Sequence, residues 1–105
     1  MTIARIWKSA VLPGRVEDYE RFTRDVSLPM FSKQQGFQGV LMLRSDDECF
    51  VITLWSDMHD VDALWRSESY QAVLQRLLNS GFVAGEASVK LYTAHLTGFA
   101  ANGIV

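Results

Sequence analysis

Between residues 37 and 55 the chain carries two runs with no polar side. Val40, Leu41, Met42 and Leu43 stand in succession, and Phe50, Val51 and Ile52 are followed by Leu54 and Trp55. In an extended strand successive side chains point to opposite faces, so runs of this kind are apolar on both. The polar insert Ser45-Asp46-Asp47-Glu48 has hairpin length and makes the two runs neighbours. A sheet built on them has to be covered on both sides.

The second run hands over at Ser56-Asp57, either of which can cap a helix, to a helical pattern with Val61, Leu64 and Trp65 turned inward. Ser67 reads as a second cap, restarting a helix whose inner face is Tyr70, Val73, Leu74, Leu77 and Leu78. Asn79-Ser80-Gly81 closes it. Upstream, residues 3–12 form a strand stopped by the Pro13-Gly14 turn. Residues 15–28 then place Val16, Tyr19, Phe22 and Val26 on one helical face. Pro29 disfavours helical geometry at Leu28, so the regular helix is expected to stop or kink there, with residues 30–35 an irregular continuation ending at Gly36. Residues 87–96 are the last strand, and 97–105 a tail of small residues.

The order βαββαβ predicts one α+β domain over residues 1–96. Its topology is ferredoxin-like, a four-stranded antiparallel sheet with both helices on one face. The other face would then be a large apolar surface, which soluble monomers rarely expose. A homodimer through the sheet face is the expected cover, and a tail folded back over the sheet is the alternative.

Composition bounds the function. The net charge of −2 and the lack of any basic stripe argue against nucleic acid as a partner. No apolar stretch approaches the roughly 18 residues of a membrane span, and the first residues do not read as a secretory leader, so no membrane association and a cytoplasmic location are expected. Cys49 is the single cysteine, which excludes an internal disulfide and a thiolate metal cluster. Asp46-Asp47-Glu48 reads as a hairpin tip, because three adjacent carboxylates cannot converge on one ion without a loop built around it. No metal site is expected.

Over residues 3–96 the chain resembles the antibiotic biosynthesis monooxygenase (ABM) domain family of dimeric α+β barrels. The resemblance rests on the first strand with Pro13-Gly14, on Gln35-Gly36-Phe37 leading into the second strand, and on Trp55 followed by a helix and Ser67-Glu68-Ser69-Tyr70. It implies a homodimer, a small aromatic ligand and no cofactor, with monooxygenase chemistry on a phenol or quinol as one outcome. Non-redox ligand binding, isomerisation or cyclisation on the same scaffold is another. Haem-degrading members carry an Asn on strand one, a Trp on the second helix and a His ten residues later. Trp65 matches that Trp, but Trp7 and Gln75 stand at the other two positions, and glutamine is a poor iron ligand. Haem degradation is disfavoured. Of the polyketide-oxygenase residues only Trp55 is kept, with Val51, Val61 and Gln75 at the other three positions.

Cofactor-free oxygenation requires a group to take the phenol proton and dipoles to hold the anion. Arg5, Lys8, Cys49, Tyr70, Tyr92 and His95 are the polar groups left to supply them. Tyr70, His95 and Arg5 are the catalytic candidates, and Trp7, Trp55, Trp65, Tyr70 and Tyr92 the expected ligand-binding residues. Arg5 and Lys8 fall on opposite faces of strand one, and the sequence does not decide which of them meets the pocket. His59, in the first turn of a helix beside Asp57 and Asp60, reads as a solvated surface residue, and Cys49 as a small buried hydrophobe.

Overall fold

The computed structural model describes residues 1–101 and the backbone of 103–104. Strands β1 (Ile3–Val11), β2 (Phe37–Arg44), β3 (Glu48–Trp55) and β4 (Val83–Thr93) form one antiparallel sheet in the order β2-β3-β1-β4. This is the ferredoxin-like arrangement, with β1 and β3 central. The helical layer consists of α1 (Val16–Phe22), a π-helical turn at Thr23–Ser27, α2 (Leu28–Ser32), α3 (Met58–Arg66) and α4 (Glu68–Leu78). None of the described helices is long and apolar enough to cross a membrane.

Register assigns the two faces. Ile3, Arg5, Trp7, Ser9 and Val11 alternate along β1 as buried residues. Directly paired residues share a face, which puts Trp55, Thr53, Val51 and Cys49 of β3 on the helix side as well. Trp55, Thr53 and Cys49 are fully buried there. Aromatic rings continue the core in edge contacts: Phe37 and Phe31 lie 5.7 and 6.4 Å from Trp55 between ring centres, and Phe31 lies 6.2 Å from Tyr70.

Both caps form as their residue types require. The Asp57 side chain accepts from the backbone N–H of Asp60 at 3.1 Å, and Ser67 Oγ accepts from that of Tyr70 at 3.3 Å. Gly81, at φ +81°, follows the end of α4 in the left-handed region that glycine favours.

Two element boundaries differ from expectation. The regular α-helix ends already at Phe22, and the helical course runs on past Leu28. Pro29 lacks the N–H that would bond back one α-turn, and the chain widens instead, with the Leu28 N–H donating to the Thr23 carbonyl across a π-turn before α2 continues through Pro29. β4 begins at Val83 rather than at residue 87 and ends at Thr93. Its register against β1 slips between Lys8 and Ala10 around Gly85, whose φ of +75° absorbs the bulge. The Gly85-Glu86 pair therefore lies inside a strand.

The face away from the helices carries Ile6, Leu41, Leu43, Ile52, Leu54 and Tyr92. In the tail, β5 (Phe99–Ala100) and β6 (Gly103–Ile104) pair as a small hairpin, and residues 102 and 105 lie outside the described residues. Phe99 borders a space of about 240 Å³ against Gly39, Leu41, Ile52 and Leu54. The tail thus reaches one corner of this face and leaves Leu43 and Tyr92 exposed.

Candidate functional site

The alternation of β1 decides between its two cations. Arg5 falls on the helix side and is only 4% exposed, whereas Lys8 points to the other face and pairs with Glu48 at 2.8 Å. Arg5 Nη2 donates to the Tyr70 hydroxyl at 2.5 Å, and its guanidinium carbon stands 5.2 Å from the centre of the Tyr70 ring. Tyr70 reaches Arg5 because the Ser67 cap starts α4 beside the sheet and turns this first-turn side chain inward. Thr53 Oγ1 accepts from Trp55 Nε1 at 2.8 Å and contacts the Arg5 carbonyl at 3.5 Å, so Trp55 supports the strand that holds Arg5.

Two spaces flank Arg5. Between sheet and helices lies an inner cavity of about 40 Å³, walled mainly by Trp7, Met30, Phe31, Val51 and Leu74, with Arg5 and Tyr70 on its lining. Tyr19, Thr23 and Ser27 complete it, the last two brought there by the π-turn. The Tyr19 hydroxyl is buried without a hydrogen-bond partner. Burial, with Cys49 and Glu20 nearby, holds this phenol far above its ordinary range. Burial likewise pushes the Cys49 thiol up, and its Sγ contacts the Ser9 carbonyl at 3.4 Å, so Cys49 is an inert core group.

The second space is an open cleft of about 380 Å³ between α3 and β4, bordered by Arg5, Asp62, Trp65, Arg66, Val89 and Leu91. Val89 and Leu91 pair with Trp7 and Arg5, so they face the helix side, yet both are exposed. Among the described residues no helix covers them. Trp65 was expected to point into the core with Val61 and Leu64. It is 61% exposed instead, because Val61 and Leu64 take the inward arc of α3 and Trp65 is rotated to its edge, over the cleft. Its ring lies 6.3 Å from that of Tyr70. Leu78, also expected on an inner face, is exposed at the end of α4.

Of the residues singled out from sequence, the structure brings Arg5, Trp7, Tyr70 and Trp65 around these two spaces. Trp55 is sealed in the core and lines neither. Tyr92 pairs with Ala4 and lies on the opposite face of the sheet. His95 is exposed beyond the end of β4, not on the strand, and His59 is exposed on α3. Asp62 and Arg66 were not singled out, and Tyr19 only as an inner-face residue of the first helix. Their only sequence signal is position, since each is a common residue on an amphipathic helix.

No family model matches the sequence, and no curated protein matches it. Solved structures do. A Bordetella bronchiseptica protein assigned as an antibiotic biosynthesis monooxygenase superposes with a TM-score of 0.75 at 25% identity, over 90% of this chain and 98% of that one. SnoaB, a cofactor-independent oxygenase from Streptomyces nogalater, gives a TM-score of 0.72 at 19% identity over 91% and 95% of the two chains. A Nitrosomonas europaea protein of unknown function gives 0.78 at 13% identity, over 95% of each. This chain has the ABM-domain fold. Within that fold the inner cavity and its Arg5–Tyr70 wall lie between the helical layer and the sheet.

Proposed function

We propose that this ABM-fold protein is a cofactor-independent oxygenase of a small, electron-rich phenol or quinol, working as a homodimer. The observation that carries the reading is the Arg5–Tyr70 pair, a buried cation donating to a phenol oxygen on the wall of an apolar cavity. With the Arg5 N–H on its oxygen, the Tyr70 hydroxyl keeps its own proton to donate. Arg5 borders both the inner cavity and the cleft, and Tyr70 the inner cavity, so the two donors stand at the wall between these spaces, where an oxyanion that forms during reaction would be held.

In the proposed reaction the substrate reacts as its phenol tautomer, in which the ring carbon para to the hydroxyl carries a single hydrogen; it loses its phenolic proton, and Arg5, backed by Tyr70, holds the oxyanion. The anion gives its electron pair to dioxygen, a C–O bond forms, and the protonated product is a hydroperoxide. Loss of water, using the one hydrogen of that carbon, leaves a carbonyl. Asp62 is the one carboxylate bordering either space and is the candidate acceptor of the phenol proton. The inner cavity has room for a diatomic molecule or a few waters and not for an aromatic ring. The aromatic substrate therefore occupies the cleft, with its ring against Trp65 and its oxygen toward Arg5, while Trp7 shapes the dry interior.

One observation favours a second reading, non-redox binding of an aromatic ligand: no histidine borders either space among the described residues. Oxygen uptake with a panel of anthrones and hydroquinones, with no metal or flavin added, separates the two. Turnover is expected, and Arg5→Gln or Tyr70→Phe should each lower it by about 10²-fold. Saturable quenching of tryptophan fluorescence with no oxygen uptake across the panel would establish the binding reading instead.

A further inference from the structure

Arg5 carries more donors than its surroundings use. A guanidinium offers five N–H groups, and among the described residues its side chain has one hydrogen-bond partner, the neutral Tyr70 hydroxyl. Among the described residues no carboxylate lies within ion-pair distance of it. A charge this deeply buried is normally matched by an opposite one, because an unpaired buried ion is strongly destabilising. The remaining donors have the inner cavity and the cleft beside them.

We infer that the cleft between α3 and β4 selects aromatic carboxylates, the carboxylate of the ligand supplying the missing counter-ion of Arg5. A planar carboxylate matches the planar guanidinium fork with two parallel hydrogen bonds. The rest of the cleft fits a flat apolar body: Trp65 offers an exposed ring, and Val89 and Leu91 form the opposite wall. Its volume of about 380 Å³ falls within the range of small-molecule sites. The bordering charges are Arg5, Arg66 and Asp62, a balance of one positive charge. That balance neutralises a monoanion and leaves a phosphate dianion with one charge uncompensated. The inference shares its cleft with the proposed oxygenase site and rests on that reading for the idea that the ligand is aromatic.

Paired probes test it on the full-length chain. Binding of 1-hydroxy-2-naphthoate and of 1-hydroxy-2-naphthamide, which keeps the rings and loses the charge, is followed by tryptophan fluorescence. The acid is expected to bind at least about tenfold more tightly, the scale of one charge-assisted contact. Arg5→Gln should abolish the preference and Arg5→Lys should keep part of it. Trp65→Ala should weaken both probes while leaving their ratio intact, which distinguishes charge recognition from a collapsed site. Circular dichroism confirms that each variant is folded, and Arg5→Lys carries the test if Arg5→Gln is not. Equal affinity for acid and amide, or a preference that survives Arg5→Gln, overturns the inference. Oxygen uptake is read separately. Acid preference without turnover on any substrate leaves this inference standing and removes the oxygenase, whereas turnover of neutral phenols without acid preference does the reverse.

Discussion

Asp60 shows how much one side chain fixes in this chain. It lies on the first turn of α3, and its carboxylate accepts from Gln35 Nε2 at 2.8 Å and from the Ser56 hydroxyl. The Gly36 backbone answers from the other side, its carbonyl accepting the Ser56 N–H at 3.0 Å. Gly36 has a φ of +76°, and a Cβ there would collide with the Asp60 carboxylate, so only glycine fits. The joint ties the entry of β2 to the start of α3. Hydrogen bonds from Ser56 and Gln35 hold the Asp60 carboxyl below the ordinary carboxylate range. A group whose native value is depressed contributes stability that is present above its unfolded value of about 3.9 and lost as the pH falls through the native value. Thermal melts between about pH 6 and pH 2 should therefore show part of the acid destabilisation disappear in Asp60→Asn, with little slope difference above about pH 5. An unchanged acid limb in that variant would contradict this account. The sequence marked Gly36 as the end of the first helical region and Ser56 or Asp57 as a cap, but not this knot, because no local pattern marks a carboxylate that bonds across a loop. The face on which Arg5 lies was hidden for a related reason. Arg5 breaks an apolar alternation, and only the register shows that the breaking residue is on the inside.

At the scale of elements, caps and turns were readable because each depends on a few adjacent residues. Strands β2 and β3, the Asp57 and Ser67 caps and the Gly81 stop all stand where the residue types place them. What failed were features decided by backbone compromise. The π-turn is a response to Pro29 that keeps a helix going, and the Gly85 bulge keeps β4 paired upstream of the expected strand start at residue 87. Ser67 links an element to the site, since its cap fixes the first turn of α4, where Tyr70 meets Arg5. Ser67→Ala should lower unfolding stability by about 0.5–2 kcal/mol in a urea titration. If the cap also positions Tyr70, the same variant should weaken 1-hydroxy-2-naphthoate binding, and restoring the cap with Ser67→Thr should recover both. Stability loss with full affinity would mean that Tyr70 is held by its packing against Phe31 and Arg5 alone.

At the scale of the whole molecule, the helix layer covers one side of the sheet, and the other side poses the question the apolar runs raised from the start. Leu41 is 38% exposed and Leu43 45%, beside Ile52, Leu54, Ile6 and Tyr92 on the same face. Phe99 reaches one corner of it. A second copy presenting the same face satisfies both molecules at once, which is how two-fold interfaces are built. The polar limit of the face falls at its Lys8–Glu48 pair, in keeping with the polar rim of such contacts. The cleft at Trp65 was not legible in the sequence for a whole-molecule reason: it exists because β4 extends past the helices, and no residue pattern along β4 records that nothing sits above it. The dimer is tested at residues whose loss leaves the chain's own core intact. Leu41 and Leu43 are already exposed in one chain, so Leu41→Glu with Leu43→Glu should leave the circular dichroism spectrum unchanged. In sedimentation at micromolar concentration the native chain should run as two copies and the double variant as one, its dissociation constant raised by well over about tenfold because each carboxylate would be buried unpaired. A native chain that sediments as a single copy under those conditions would leave this face open to water, and the homodimer would be wrong.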